Sequence, residues 1–172
     1  MIDTAPGKSV LFLDFDDVIA LGKPYGGHHL LQSPQPPDIH LRLWHQPAMD
    51  AVLEVIAQAR PYVVLTTTWL RFLDLASARE LFRKTNAMPL AEHLHPLGEA
   101  PQVLRQTRLQ AIDSWISGQR WSGPYAILDD ACSGTGLLGS PHDRKGRVFL
   151  CEPDIGFTAV QVPAVLKALR IA

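Results

Sequence analysis

Apolar residues along the chain gather in short, nearly continuous runs, separated by stretches with helical spacing. Ser9–Phe15 is one such run, and its length and lack of alternation predict a strand buried on both faces. Tyr62–Thr66, after Pro61, predicts a second strand, Tyr125–Leu128 another and Arg147–Cys151 a further one. Ala48, Ala51, Val52, Val55, Ile56 and Ala59 recur at the spacing of an amphipathic helix, with Pro47 at its start, where proline is tolerated. Leu70–Lys84 reads as a helix, as does Val103–Ser117, closed by Gly118. Thr158 is placed to cap a last helix through Leu169. Met88–His95 is ambiguous between a helix and a third short strand. Strands alternating with helices predict an α/β fold, a parallel sheet covered on both faces.

One stretch breaks the pattern. Leu21–Pro47 holds Pro24, Pro34, Pro36, Pro37 and Pro47, together with Gly22, Gly26, Gly27 and the pair His28–His29. That density of proline and glycine predicts a long excursion between two regular elements. A lid over a site and a variable surface loop both fit it. If it folds over a site, His28 and His29 are candidate substrate contacts and Trp44 a candidate lid residue, whereas Trp69 and Trp115 read as core.

A length of 172 residues predicts a single domain over 1–172. With 47% apolar and 19% charged residues the chain can bury a core, which excludes disorder. The net charge of -1 excludes a whole-chain basic field for coating nucleic acid, while a local patch stays open. Cys132 and Cys151 are too few for a disulfide framework and favour a reducing compartment. No apolar stretch reaches the length of a membrane span, and the first ten residues lack the pattern of a signal peptide. The expectation is a soluble, cytoplasmic protein with no membrane partner.

Carboxylates and hydroxyls cluster where three predicted strands end: Asp14, Asp16 and Asp17; Thr66, Thr67 and Thr68; Asp129 and Asp130. Ligands of an open parallel sheet bind outside the carboxyl ends of its strands, so the three clusters share one edge. Carboxylates crowded there repel one another without a cation. Asp14, Asp16 and Asp129 therefore point to a hard divalent ion, and an oxygen-only donor set favours Mg²⁺ over zinc. Asp17 reads as a loop or capping residue, and Thr66 and Thr68 as structural. Gly7-Lys8-Ser9 imitates the end of a phosphate-binding loop but precedes its strand, which excludes that reading. His93 and His95 lie between Pro89 and Pro96 without matching cysteines and read as surface or packing histidines.

Val10–Val18, an apolar run followed by Asp14-Phe15-Asp16-Asp17-Val18, resembles motif I of the haloacid dehalogenase-like (HAD) superfamily. The run into Thr66 and Thr67 resembles motif II, and Ile127-Leu128-Asp129-Asp130 resembles the acidic motif IV, in matching order over nearly the whole chain. On fewer residues, Thr67-Thr68-Trp69 and the Ile112–Trp115 segment before Leu-Asp-Asp resemble the small HAD domains associated with RNA repair proteins.

The resemblance implies a three-layer sandwich with sheet order 3-2-1-4-5 and, at 21–47, at most a small cap. It implies a Mg²⁺-dependent phosphatase acting on a phosphoric monoester, either a small molecule or a nucleic-acid end. Asp14 is then the nucleophile, forming an aspartyl-phosphate, and Asp16 the general acid and base. Mg²⁺ is held by Asp14, the Asp16 backbone carbonyl and Asp129. Thr67, ahead of Thr66, bonds a phosphoryl oxygen, and Asp130 is a ligand-supporting or loop residue. The family also uses a lysine between motifs II and IV, and Glu99–Ile116 contains none, only Arg105 and Arg108. Arg108, at the start of the helix leading into Trp115, is the candidate replacement; the alternative is that both arginines are solvated. The departure motivates a second hypothesis, a catalytically weak module that binds phosphate or a nucleic-acid end. A response-regulator receiver domain is excluded, because its hydroxyl residue follows the isolated Asp and Thr66–Thr68 precede Asp129.

Overall fold

In the computed structural model, which describes residues 8–170, five strands form one sheet. They are β1 (Val10–Leu13), β2 (Tyr62–Leu65), β3 (Leu94–Glu99), β4 (Tyr125–Asp130) and β5 (Val148–Cys151). Their order is β3-β2-β1-β4-β5 and every pairing is parallel, as the resemblance implies. Leu11 pairs with Val63 on one side and Ala126 on the other, so β1 is the central strand. Leu11, Leu13, Val63, Leu65, Ala126 and Leu128 face one core; Val10, Phe12, Val64 and Ile127 face the other. Alternate side chains of a strand leave opposite faces, and both faces here are covered, which is why these runs carry no polar position.

The helices are α1 (Ile39–Arg42), α2 (Gln46–Ala59), α3 (Leu75–Lys84), α4 (Met88–His93), α5 (Arg108–Gly118), α6 (Pro141–Arg144) and α7 (Val162–Ala168). α2, α3, α4 and α7 cover the first face, and α5 supplies Ile112 and Trp115 to the second. Several predicted boundaries move, each for a local reason. The helix expected over Leu70–Lys84 starts at Leu75, where Asp74 accepts the Ser77 N–H at 2.7 Å; Thr68–Arg71 before it is a separate 3-10 turn. The periodicity ran through the break because both pieces send apolar residues into one core. The helix expected from Val103 starts at Arg108: Thr107 and Gln110 form a reciprocal cap, with Gln110 Oε1 accepting the Thr107 N–H at 2.9 Å. Met88–His95 is helix first and strand from Leu94. Thr158 bonds Gln161 Oε1 through its N–H and hydroxyl, which builds the turn before α7 and moves the helix start to Val162. β4 runs two residues further than expected, to Asp130.

The proline-rich excursion carries a 3-10 turn (Gly27–Leu31) and α1, neither of which its composition predicted. Ile39, Leu43 and Trp44 are buried in the first core. Trp44 is therefore a core residue, which corrects the lid expectation: its indole N–H donates to Thr85 Oγ1 at 2.7 Å and its ring stacks on Trp69 with centroids 5.7 Å apart. Gly27 lies so close to Trp69 that a Cβ there would meet ring carbon Cε2 at 2.6 Å. We expect Gly27→Ala to destabilise the protein by about 1–3 kcal/mol, as overpacking does. A urea melt checks this, and an unchanged midpoint would mean that the excursion yields without disturbing the core.

His93 Nδ1 lies 2.8 Å from the Pro61 carbonyl, and buried His95 accepts the Leu97 N–H at 3.0 Å, so both are packing residues. Burial holds the His95 pKa below its ordinary value. Cys132 and Cys151 are free. Gly7, part of the loop imitation considered above, lies outside the described residues. No helix among the described residues is long and apolar enough to cross a membrane.

Candidate active site

The site lies at the carboxyl ends of β1, β2 and β4. Two backbone bonds carry the ladder one step past the strands: Asp14 N–H donates to Leu128 O and Thr66 N–H to Leu13 O, both at 3.0 Å. They set Asp14, Thr66 and Asp129 side by side. After Asp14 the chain turns sharply, with the N–H groups of Val18, Ile19 and Ala20 all pointing to the Phe15 carbonyl. Asp17 takes the left-handed conformation the turn needs (φ 55°), and its Oδ1 accepts the Asp154 N–H at 3.2 Å. Asp17 is a loop residue, as expected.

Asp14, Asp129 and Asp130 are buried and present oxygens within 4.8 Å of one another. The Ser133 hydroxyl stands among them, 3.1 Å from Asp14 Oδ2, 3.2 Å from Asp129 Oδ1 and in contact with Asp130 Oδ2. A hydroxyl has one proton and satisfies only one of these oxygens. Asp130 Oδ1 accepts the N–H groups of Cys132 and Ser133 at 2.7 and 2.9 Å, which shapes the loop after β4. Asp130 thus both stabilises the loop and joins the cluster.

Arg108 is 0% exposed. Its Nε is 2.8 Å from Asp129 Oδ2 and its Nη2 is 3.5 Å from Asp14 Oδ1. The first turn of α5 is held there by the 133–140 loop, where Thr135 Oγ1 accepts the Arg108 N–H at 2.9 Å. Arg105, by contrast, is exposed in the preceding loop with φ 68°, and its side chain pairs with no carboxylate among the described residues. Arg108, the candidate replacement for the lysine, and Arg105 thus have opposite environments.

Burial raises the Asp14 carboxyl above its usual range, opposed by Arg108. Asp129 is pushed up to about 8 by burial and by the neighbouring Asp14 charge, again opposed by Arg108. Three buried carboxylates share one guanidinium, so ionising all of them would leave two negative charges in excess, which is why burial without a cation favours their protonated forms. A divalent cation supplies that balance, and an all-oxygen donor set suits Mg²⁺. The residues present fit the ion. The nearby Cys151 thiol is pushed up to about 12, chiefly by burial, and stays protonated.

The Asp16 carboxylate stands outside this group. Its Oδ2 accepts the Trp69 indole N–H at 2.9 Å. Burial raises its pKa, and the Trp69 bond opposes the shift. Thr67 Oγ1 accepts the Trp69 backbone N–H at 3.3 Å, and its own proton has no acceptor among the described residues. Thr67 and Arg108 line a cleft of about 40 Å³ together with Thr68, Arg71 and Gln102. Thr66 has a buried hydroxyl without a hydrogen-bond partner among the described residues and does not line the cleft.

Of the residues expected in the site, Asp14, Asp129, Asp130 and Arg108 come together, Thr67 and Asp16 flank them, and Arg105 is outside. Sequence reasoning missed Ser133 and the polar contact of Trp69. A serine four residues past Asp129 was the only signal for the first; no local pattern announces that an indole N–H will reach a carboxylate 53 positions away.

Residues 10–162 match the family described as the HAD domain in Swiss Army Knife RNA repair proteins. No curated protein and no solved structure matches the chain.

Proposed function

The chain belongs to the family of HAD domains in Swiss Army Knife RNA repair proteins, and from that premise we propose that it is a Mg²⁺-dependent phosphoric monoester hydrolase working through Asp14. The observation that carries the reading is the convergence of Asp14, Asp129 and Asp130 on one sheet edge with fully buried Arg108, beside the cleft of Thr67.

In this reading an Asp14 carboxylate oxygen attacks phosphorus and the bond from phosphorus to the leaving oxygen breaks. Asp16 delivers a proton to that oxygen. A water molecule, giving its proton back to Asp16, then attacks the phosphorus of the aspartyl-phosphate and releases phosphate and the Asp14 carboxylate. Splitting the displacement in two is what a carboxylate nucleophile offers. The Thr67 hydroxyl donates to a phosphoryl oxygen, and Arg108 supplies the cation for which the family uses lysine, held in place by its ion pairs with Asp14 and Asp129. Asp14 and Asp129, with Asp130, Ser133 and the Asp16 carbonyl around them, would hold Mg²⁺, which neutralises charge between nucleophile and phosphate when bound.

The cleft beside Thr67 is small, about 40 Å³, which favours a substrate whose body lies on the surface outside it. That suits the phosphorylated end of a nucleic acid, in keeping with the family, with 21–47 as a minimal cap and the cytoplasm as the setting. The second reading, a phosphate-binding module with little turnover, is favoured by one observation: Arg108 is already engaged by two carboxylates. Hydrolysis of 4-nitrophenyl phosphate and of a 3′-phosphorylated oligonucleotide, with Mg²⁺ and with EDTA, separates the two. The hydrolase predicts turnover with Mg²⁺ that EDTA abolishes. Oligonucleotide binding without turnover of either compound would move the chain to the second reading.

A further inference from the structure

We propose that Trp69 is the positioning residue for proton transfer by Asp16, and that the 21–47 excursion holds Trp69 in place; the inference rests on the phosphatase reading above. Asp16 opens the turn after β1 and is half-buried. The side-chain hydrogen bond that restrains it comes from Trp69 Nε1 to Oδ2 at 2.9 Å. An indole N–H donates and cannot accept, so it neither takes the proton nor offers an alternative acid. It occupies Oδ2 and leaves Oδ1 as the oxygen that carries the proton to the leaving group and takes it back from water.

A donor positions an acid only if it is itself immobile. Trp69 is 2% exposed. Phe15 meets its ring edge-on at 5.2 Å, Trp44 stacks at 5.7 Å and Phe72 at 6.1 Å. The Gly27 backbone closes the remaining side, close enough that no side chain fits between. Two of these contacts, Gly27 and Trp44, come from the excursion. The backbone N–H of the same tryptophan donates to Thr67 Oγ1, so one residue ties the acid to the phosphoryl-binding hydroxyl. Through these two contacts the excursion acts as a wedge that fixes the geometry of proton transfer.

The test uses leaving-group chemistry. Expulsion of 4-nitrophenolate needs little protonation, whereas an alkoxide needs the proton of Asp16 as it departs. The parameter kcat/KM covers the steps through that first bond cleavage. Trp69→Phe keeps the ring stack and removes the N–H. We expect its kcat/KM for glycerol 2-phosphate to fall at least about 10-fold further than its kcat/KM for 4-nitrophenyl phosphate, a share of the 10²–10⁴-fold that general acid catalysis supplies. Equal losses on both compounds, or none, would make Trp69 a packing residue and overturn the inference while leaving the phosphatase reading intact. A wild-type protein that hydrolyses neither compound overturns the phosphatase reading and this inference with it. Should Trp69→Phe not fold, the indole ¹⁵N–¹H resonance of Trp69 in wild type and Asp16→Ala decides: a shift on loss of the carboxylate supports the bond, and an unmoved resonance overturns it.

Discussion

Asp14→Asn is expected to lower hydrolysis of 4-nitrophenyl phosphate by roughly 10⁴-fold or more, the scale on which removal of a covalent nucleophile acts. The same variant is expected to melt within a few degrees of wild type. The amide has the shape of the carboxylate: its one oxygen can face Arg108 in place of Oδ1, and its NH2 can donate to the Ser133 hydroxyl oxygen in place of Oδ2. It also removes one of three crowded carboxylates, and burial already works against the charge at this position. Initial rates and a thermal melt on the same preparation check both halves. Residual activity above about 1% of wild type, well beyond what a lost nucleophile leaves, would remove Asp14 from that role.

Arg108→Met should have the larger effect on stability. A guanidinium with no exposed surface compensates Asp14 and Asp129, and its loss leaves a buried acidic cluster without a cation. Removing one partner of a buried ion pair costs about 3–5 kcal/mol, against the fraction of a kcal/mol expected of a solvated arginine. Methionine fills the aliphatic part of the space, so the loss reports charge more than cavity. Mg²⁺ should recover part of it, because the ion balances the same carboxylates and stabilises the folded state by mass action. Urea melts of wild type and variant, with Mg²⁺ and with EDTA, measure this. A variant that melts like wild type in EDTA would contradict the buried pair. Arg105→Met, on an exposed loop, is the control and should leave the midpoint unchanged.

Much of the architecture is legible in the sequence. A strand segment buried on both faces is apolar throughout, and β1, the Val63, Val64 and Leu65 of β2 and the Ala126, Ile127 and Leu128 of β4 show that directly. The break at Leu73–Asp74 was illegible for the converse reason. Apolar spacing reports which side chains face a core, and Trp69, Ala78, Leu81 and Phe82 all face the same one across the break. The Thr107–Gln110 cap was readable as a local motif, yet the apolar Val103 and Leu104 outside it drew the expected helix too far; both are exposed.

The sequence by itself determined the alternation of buried strands and helices and the sheet edge that carries Asp14, Thr67 and Asp129, because strand-end position and burial pattern are written locally along the chain, while the strand order followed from the resemblance. Only the tertiary structure decided between Arg105 and Arg108. Both are arginines in one polar stretch, and what separates them is whether the helix start is held against the carboxylates by the loop after β4. It also decided that Trp44 is core and that Trp69 reaches Asp16. Side-chain partnership across distant segments depends on how elements pack, and no local pattern of residues encodes the distance between two atoms that meet only in the folded chain.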